Sequence, residues 1–180
     1  SFFSKHALKD NGEYAPGRIY LGVNAPAFGS MQTAEVRAVS ALLQAPMLLP
    51  ENQRDPWWTL LLFFNSLREL GPALSLLQSD IPDYQKTLMR RKEKSKRNYR
   101  NFWQIQELTG RLSGERIPEI ISELEIMVSD ETNKPVDVCL ASKIVYMLKP
   151  VGFLWLMTII GQPISTSRYI QVTGRVGRSW

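Results

Sequence analysis

The chain has 180 residues, of which 44% are hydrophobic and 22% charged, and a formal net charge of +5. That length fits one domain or one lobe of a larger protein, the apolar share permits a real core, and the basic balance favours an anionic partner. A single cysteine (Cys139) and a single histidine (His6) exclude a disulfide framework, a zinc cluster and any Ser/His/Asp or Cys/His catalytic set beyond His6; no metal site and a cytoplasmic setting are expected.

Residues 1–16 are polar, close on Pro16-Gly17 and read as a tail or linker. Arg18 to Val23 has the β-branched and aromatic mix of a strand. Met31 to Gln44 reads as a helix capped by Ser30, with apolar residues at Met31, Ala34, Ala38 and Leu42, flanked by Val39 and Leu43. Trp58 to Phe64 is a continuous apolar run of strand length, as a strand buried on both faces of a parallel sheet requires. Asn65-Ser66 caps the next helix, which Leu67, Leu70, Leu74 and Leu77 line on one face and which Gly71-Pro72 should kink or interrupt.

Lys86 to Arg100 carries Lys86, Arg90, Arg91, Lys92, Lys94, Lys96, Arg97 and Arg100 against one acid, Glu93. Two readings stand: a solvated insertion, or a nucleic-acid backbone contact. Tyr99, Phe102 and Trp103 follow, and either stack on bases or pack on the sheet. Phe102 to Leu108 reads as a strand ending in Thr109-Gly110-Arg111. A helix follows from about Ser113 with Ile117, Ile120, Ile121 and Leu124 inward, then an Asp130–Asn133 loop. Val136 to Ala141 and Leu156 to Ile160 read as strands, with Cys139 a small core residue. The longest apolar run, Val151 to Ile160, is half a membrane span, and no signal peptide is visible, so no membrane partner is expected. The last element begins at Ser165 or Thr166 and runs helically towards the C-terminus. Strands alternating with helices give an α/β domain with a mainly parallel sheet over residues 17–180.

Ligands of open parallel sheets sit at the carboxyl ends of the strands. Polar residues fall there: Asn65-Ser66, Thr109-Gly110-Arg111, Ser142-Lys143 and Gly161-Gln162. Hydroxyls and helix-start N–H groups at such positions suit phosphates, though ordinary capping explains any one of them. At the C-terminus, Gln171-Val172-Thr173-Gly174-Arg175-Val176-Gly177-Arg178 sets two arginines three apart, each behind a glycine. On a helix that spacing shares one face, and the glycines let backbone approach a ligand, so the stretch suits phosphate oxygens. A plain basic tail is the other reading. No G-x-x-x-x-G-K-[ST] loop occurs, and no apolar strand precedes Asp130-Glu131, so neither a Walker A lysine nor a Walker B carboxylate is present.

Gln171 to Arg178 resembles the last motif of superfamily 2 helicases, the Q/H-x-x-G-R-x-G-R stretch of their second RecA-like domain. With Gly161-Gln162-Pro163 and Thr166-Ser167-Arg168-Tyr169-Ile170-Gln171, the chain resembles the DISARM-type antiphage defence helicases. The resemblance covers about 160 residues from Arg18 onwards. Phe63 to Gly71 is similar to motif IV, Glu107 to Arg111 with Glu115 to the next strand-end motif, and Val136 to Ser142 to the start of motif V. It implies a RecA-like second helicase lobe, with Asn65, Ser66, Thr109, Gly110, Arg111 and Ser142 on a nucleic-acid backbone, DNA more than RNA. It also implies that Arg175 and Arg178 act as arginine fingers, with Gln171 and the backbone at Gly174 and Gly177 beside the phosphate. ATP and Mg2+ would be held mainly by a first RecA-like domain, the expected partner along with defence-system subunits, so this chain alone is not expected to hydrolyse ATP. The absence of a starting methionine, and an end two residues past Arg178, lead us to expect a fragment of a longer protein.

The resemblance breaks at Lys143 to Trp155, where Leu148 and Pro150 stand in place of the Gly and Asp of a Gly-x-Asp triplet. The match resumes at Leu156 without a length change, which a compensated pair of frameshifts would leave; reading the gene in the neighbouring frames decides it. A non-catalytic nucleic-acid or partner-binding module using Lys86 to Arg100, or a degenerate helicase fragment, is the alternative.

Overall fold

The computed structural model describes residues 8–15, 17–91, 99–142 and 154–177. The block from Lys143 to Phe153, the part of the basic stretch from Lys92 to Asn98, and Arg178 lie outside the described residues.

The described strands are β1 (Leu60–Phe64), β2 (Ile105–Leu108), β3 (Val138–Ala141) and β4 (Leu156–Ile160). They form one all-parallel sheet in the order β2-β3-β1-β4. The helices are α1 (Met31–Gln44), α2 (Asp55–Trp58), α3 (Leu67–Gln78), α4 (Asp80–Arg91), α5 (Arg116–Leu124) and α6 (Thr166–Thr173). The fold is α/β, with helices on both faces of a parallel sheet, as a RecA-like domain requires.

Strand alternation divides the core in two. Leu60, Leu62, Phe64, Val138 and Leu140 face α1, α3 and α4, meeting Val39, Leu43, Leu70, Ala73, Leu77 and Ile81. Leu61, Phe63, Cys139 and Ala141 face the other way, onto Ile120 and Leu124 of α5 and Val172 of α6. All five β1 residues are buried, so the central strand needs apolar side chains at every position. Each contributes about 2 kcal/mol as an upper estimate.

Local signals place the helix starts. The Ser30 hydroxyl accepts from the Thr33 N–H at 3.1 Å and opens α1. Ser66 opens α3 with a capping box, the Glu69 carboxylate accepting from the Ser66 N–H at 3.3 Å. Ser165 opens α6. Along α1 the buried positions are Val39, Ser40 and Leu43, while Met31 is 61% exposed.

Four expectations are corrected. Arg18 to Val23 belongs to no strand and carries no ladder hydrogen bonds among the described residues; Ile19 and Leu21 point into solvent. Its composition suits a strand, but a strand needs a neighbour. Gly71-Pro72 does not interrupt α3, because Pro72 sits on the exposed face, and the Arg68 carbonyl it leaves without an N–H partner is on a solvent-exposed residue. The runs read as strands from Trp58, Phe102 and Val136 begin their ladders later, at Leu60, Ile105 and Val138; Trp58 belongs to α2.

The fourth correction concerns the basic stretch. Lys86 to Arg91 forms the end of α4, and Arg100 is not part of a solvated arm. Arg100 is buried, with Nη2 donating to Asp137 Oδ1 at 2.7 Å and Nη1 donating to the carbonyls of Trp58 (2.8 Å) and Leu43 (3.3 Å). Its guanidinium lies 3.7 Å from the centre of the Trp58 ring. Asp137 Oδ2 accepts from the N–H groups of Trp103 (2.7 Å) and Gln104 (3.0 Å). The carboxylate thus satisfies these two amides just before β2, while the N–H groups of Asp137 (2.8 Å) and Val138 (3.2 Å) both donate to the Gln104 carbonyl.

Candidate nucleic-acid and nucleotide interface

Because every strand is parallel, the residues after β1, β2, β3 and β4 come to one edge of the sheet: Asn65-Ser66, Thr109-Gly110-Arg111, Ser142 and Gly161-Gln162. The structure therefore brings the sequence-predicted nucleic-acid residues together. They differ in exposure. Arg111 and Gly110 are exposed and Asn65 and Ser66 half-buried, whereas Thr109 and Ser142 are buried. The Thr109 hydroxyl donates to Glu107 Oε1 at 2.5 Å and accepts from the Arg111 N–H at 3.4 Å, so it shapes the turn that presents Arg111. The Ser142 N–H donates to the Leu108 carbonyl at 3.3 Å, extending the β2–β3 pairing by one residue.

Asn65 and Gly161 close the other half of this edge. Asn65 Nδ2 donates to the Ile160 carbonyl at 3.3 Å. Gly161 has φ of +73°, and a Cβ there would lie 3.4 Å from Asn65 Nδ2. The glycine turns the chain out of β4 where the amide needs room. Arg168, in the first turn of α6, is exposed; it belongs to the string that carries the family resemblance, but no site role was expected of it, and its place follows from Ser165 capping α6.

The C-terminal group sits elsewhere. α6 returns antiparallel to β4, with Val172 and Val176 in the core beside Leu154. The helix ends at Thr173, so Arg175 lies past it, and the helix-face argument for Arg175 and Arg178 does not apply. The Arg175 N–H donates to the Val172 carbonyl at 3.0 Å, and the Gly177 N–H donates to the Leu154 carbonyl at 2.8 Å. Leu154 precedes the first residue of β4, so this loop lies at the amino edge of the sheet. At 3.3 Å per residue, the edges at Leu154 and Gly161 are about 20 Å apart. Gln171 is exposed on the last turn of α6, and Gly174 and Arg175 are half-buried.

Charge states follow burial. Burial lowers the Arg100 pKa, and Asp137 opposes that shift by hydrogen bond and charge. Burial, then the Glu69 charge, raises the carboxyl of Glu35 on α1. Burial pushes the Cys139 thiol up to about 12, leaving it an unreactive core residue. Among the described residues no three or more His, Cys, Asp and Glu side chains come together as metal ligands.

The chain is similar to a DISARM protein. Over 99% of its length it is 39% identical to the DISARM protein DrmA of Bacillus paralicheniformis. It spans about 16% of that relative's length. No protein-family profile matches the chain. Among the described residues no helix is long and apolar enough to cross a membrane.

Proposed function

We propose that this chain is the second RecA-like lobe of an ATP-driven superfamily 2 translocase acting on DNA in DISARM-type antiphage defence. The observation that carries the reading is the 39% identity along 99% of the chain to a DISARM protein. An all-parallel α/β sheet with the G-R-x-G-R stretch after its last described helix supports the helicase assignment.

In this reading the two edges serve two ligands. At the carboxyl edge, Arg111, the backbone at Gly110, Asn65 and Ser66 bind the sugar–phosphate backbone, with Thr109 and Ser142 holding the turns beneath them. At the amino edge, Arg175 and Gln171 face the terminal phosphate of ATP bound with Mg2+ on a first RecA-like lobe, with Gly174 and Gly177 giving backbone access; Arg178, outside the described residues, is the second arginine finger by its place in the motif. The bound nucleotide supplies the bond that is hydrolysed. This chain supplies positive charge, at a fixed position, where negative charge develops.

The experiment is ATP hydrolysis by the 180-residue chain alone and joined to a lobe carrying a phosphate loop. The chain alone should show no turnover above background, and the joined protein should show DNA-stimulated turnover that Arg175→Ala lowers by roughly 10³-fold. Robust turnover by the chain alone, or a joined protein indifferent to Arg175→Ala, would falsify the reading.

A further inference from the structure

One peptide group in the arginine loop is held at both of its polar atoms. The N–H of Gly177 donates to the Leu154 carbonyl at 2.8 Å. The carbonyl of the same peptide, that of Val176, accepts from Arg18 Nε at 2.8 Å. Leu154 lies just before β4, and Arg18 comes from the far end of the chain, 158 residues away in sequence. The Val176 side chain is buried in the core below. The peptide plane therefore has its N–H, its C=O and the adjacent Cβ all fixed, and little freedom to rotate remains.

Arg18 reaches this carbonyl from the segment over residues 17–25, which has no assigned helix or strand. Alternate residues of the segment differ in their contacts: Arg18 and Tyr20 meet the loop after α6 and α6 itself, while Ile19 and Leu21 face solvent. The Tyr20 ring stands 6.1 Å from the Tyr169 ring of α6, a second tether for the segment. The Arg18 stem passes 3.7 Å from where a Gly177 Cβ would stand. Gly177 has φ of +62°, so the loop turns sharply at the peptide that Arg18 holds. A neutral carbonyl would be content with water. A guanidinium brought from another part of the chain to one carbonyl, in the loop between two candidate phosphate-binding arginines, points to control of that loop's direction.

We propose that Arg18 is a positioning residue: by clamping the Val176–Gly177 peptide it fixes the direction in which Arg175 leaves the end of α6. This inference rests on the reading of Arg175 as a nucleotide contact. Arg18 itself touches no substrate in this account. Its charge also adds to the positive potential of the amino edge.

Hydrogen exchange of the 180-residue chain tests the clamp directly. Arg18→Ala should speed exchange in the peptide covering residues 174–177 roughly fivefold, with the peptide over β1 unchanged. Arg18→Lys, which keeps a donor and the charge, should restore part of that protection. Unchanged exchange at 174–177, or an equal rise throughout the sheet, overturns the proposal. In the joined ATP-hydrolysing protein, Arg18→Ala should lower kcat while KM for ATP stays within about twofold. If Arg175→Ala lowers turnover and Arg18→Ala does not, the positioning role is wrong. If neither substitution matters, the nucleotide reading of the loop is wrong instead.

Discussion

Arg100 Nη2 and Asp137 Oδ1 are 2.7 Å apart, with 1% and 8% of their side chains exposed. This pair joins the end of the basic segment to the start of β3, and its remaining hydrogen bonds reach α1, α2 and the approach to β2. Breaking a buried pair leaves a charge away from water and without its counter-charge, which costs far more than the pair contributes. Asp137→Ala should therefore destabilise the fold by about 3–5 kcal/mol, read as a shift in the urea midpoint. Arg100→Ala should behave similarly. A loss below about 1 kcal/mol, the scale of a surface pair, would contradict the burial.

That pair changes how the basic segment must be tested. Alanine at Lys86, Arg90, Lys92, Lys94, Lys96 and Arg97 removes charge while sparing Arg100. The two-edge reading predicts weakened DNA binding with a shallower salt slope, and retained affinity through Arg111 and its neighbours. Complete loss of binding by this variant, with a native far-UV spectrum, would favour the non-catalytic binding module. Including Arg100 in the set would confuse loss of binding with loss of fold.

Glu35 carries a pH signature. Its folded-state pKa is raised by burial first and Glu69 second, above the usual 4.5. The folded chain thus holds a proton that the unfolded chain has already released, so stability falls as pH rises from the unfolded pKa through the folded one. Glu35→Gln removes that term. It should be more stable than the parent at pH 7, with the advantage shrinking as pH is lowered through 4.5 in urea titrations. An advantage independent of pH would show that the carboxyl is not strained by charge.

Gly161→Ala tests the turn at the carboxyl edge. A left-handed residue with a Cβ costs about 1–2 kcal/mol, and the new methyl would also press on the Asn65 amide. The thermal midpoint should fall accordingly, and Arg111-dependent DNA binding should weaken if this edge is the strand contact. A variant as stable as the parent would mean that the turn relaxes freely.

Cys139 lies at the centre of the sheet, its thiol pushed up to about 12. A thiol reagent at pH 8 should leave it unmodified in the native chain and label it at once in urea, with the labelling rate following global unfolding. Rapid native labelling would contradict the packing of β3.

Much of the fold could be read from local pattern. The run Leu60–Phe64, the caps Ser30, Ser66 and Ser165, and the spacing of Ile120 and Leu124 act within a few residues, so sequence alone located β1, α1, α3, α5 and α6. It also placed polar residues after each strand, which a parallel sheet gathers on one edge without further information. The tertiary structure decided what depends on distant partners. Arg18 to Val23 has strand chemistry but no neighbouring strand among the described residues, and hydrogen-bond ladders are pairwise. Arg100 belongs by sequence to a charged run, yet Asp137 and Trp58 draw it into the core. Whether a charge is solvated is settled by what packs around it, not by its neighbours in the chain. The arginine loop follows the same rule. Its glycines and arginines were visible in order, but its place at the amino edge, and the hold of Arg18 on its central peptide, come from α6 folding back along β4.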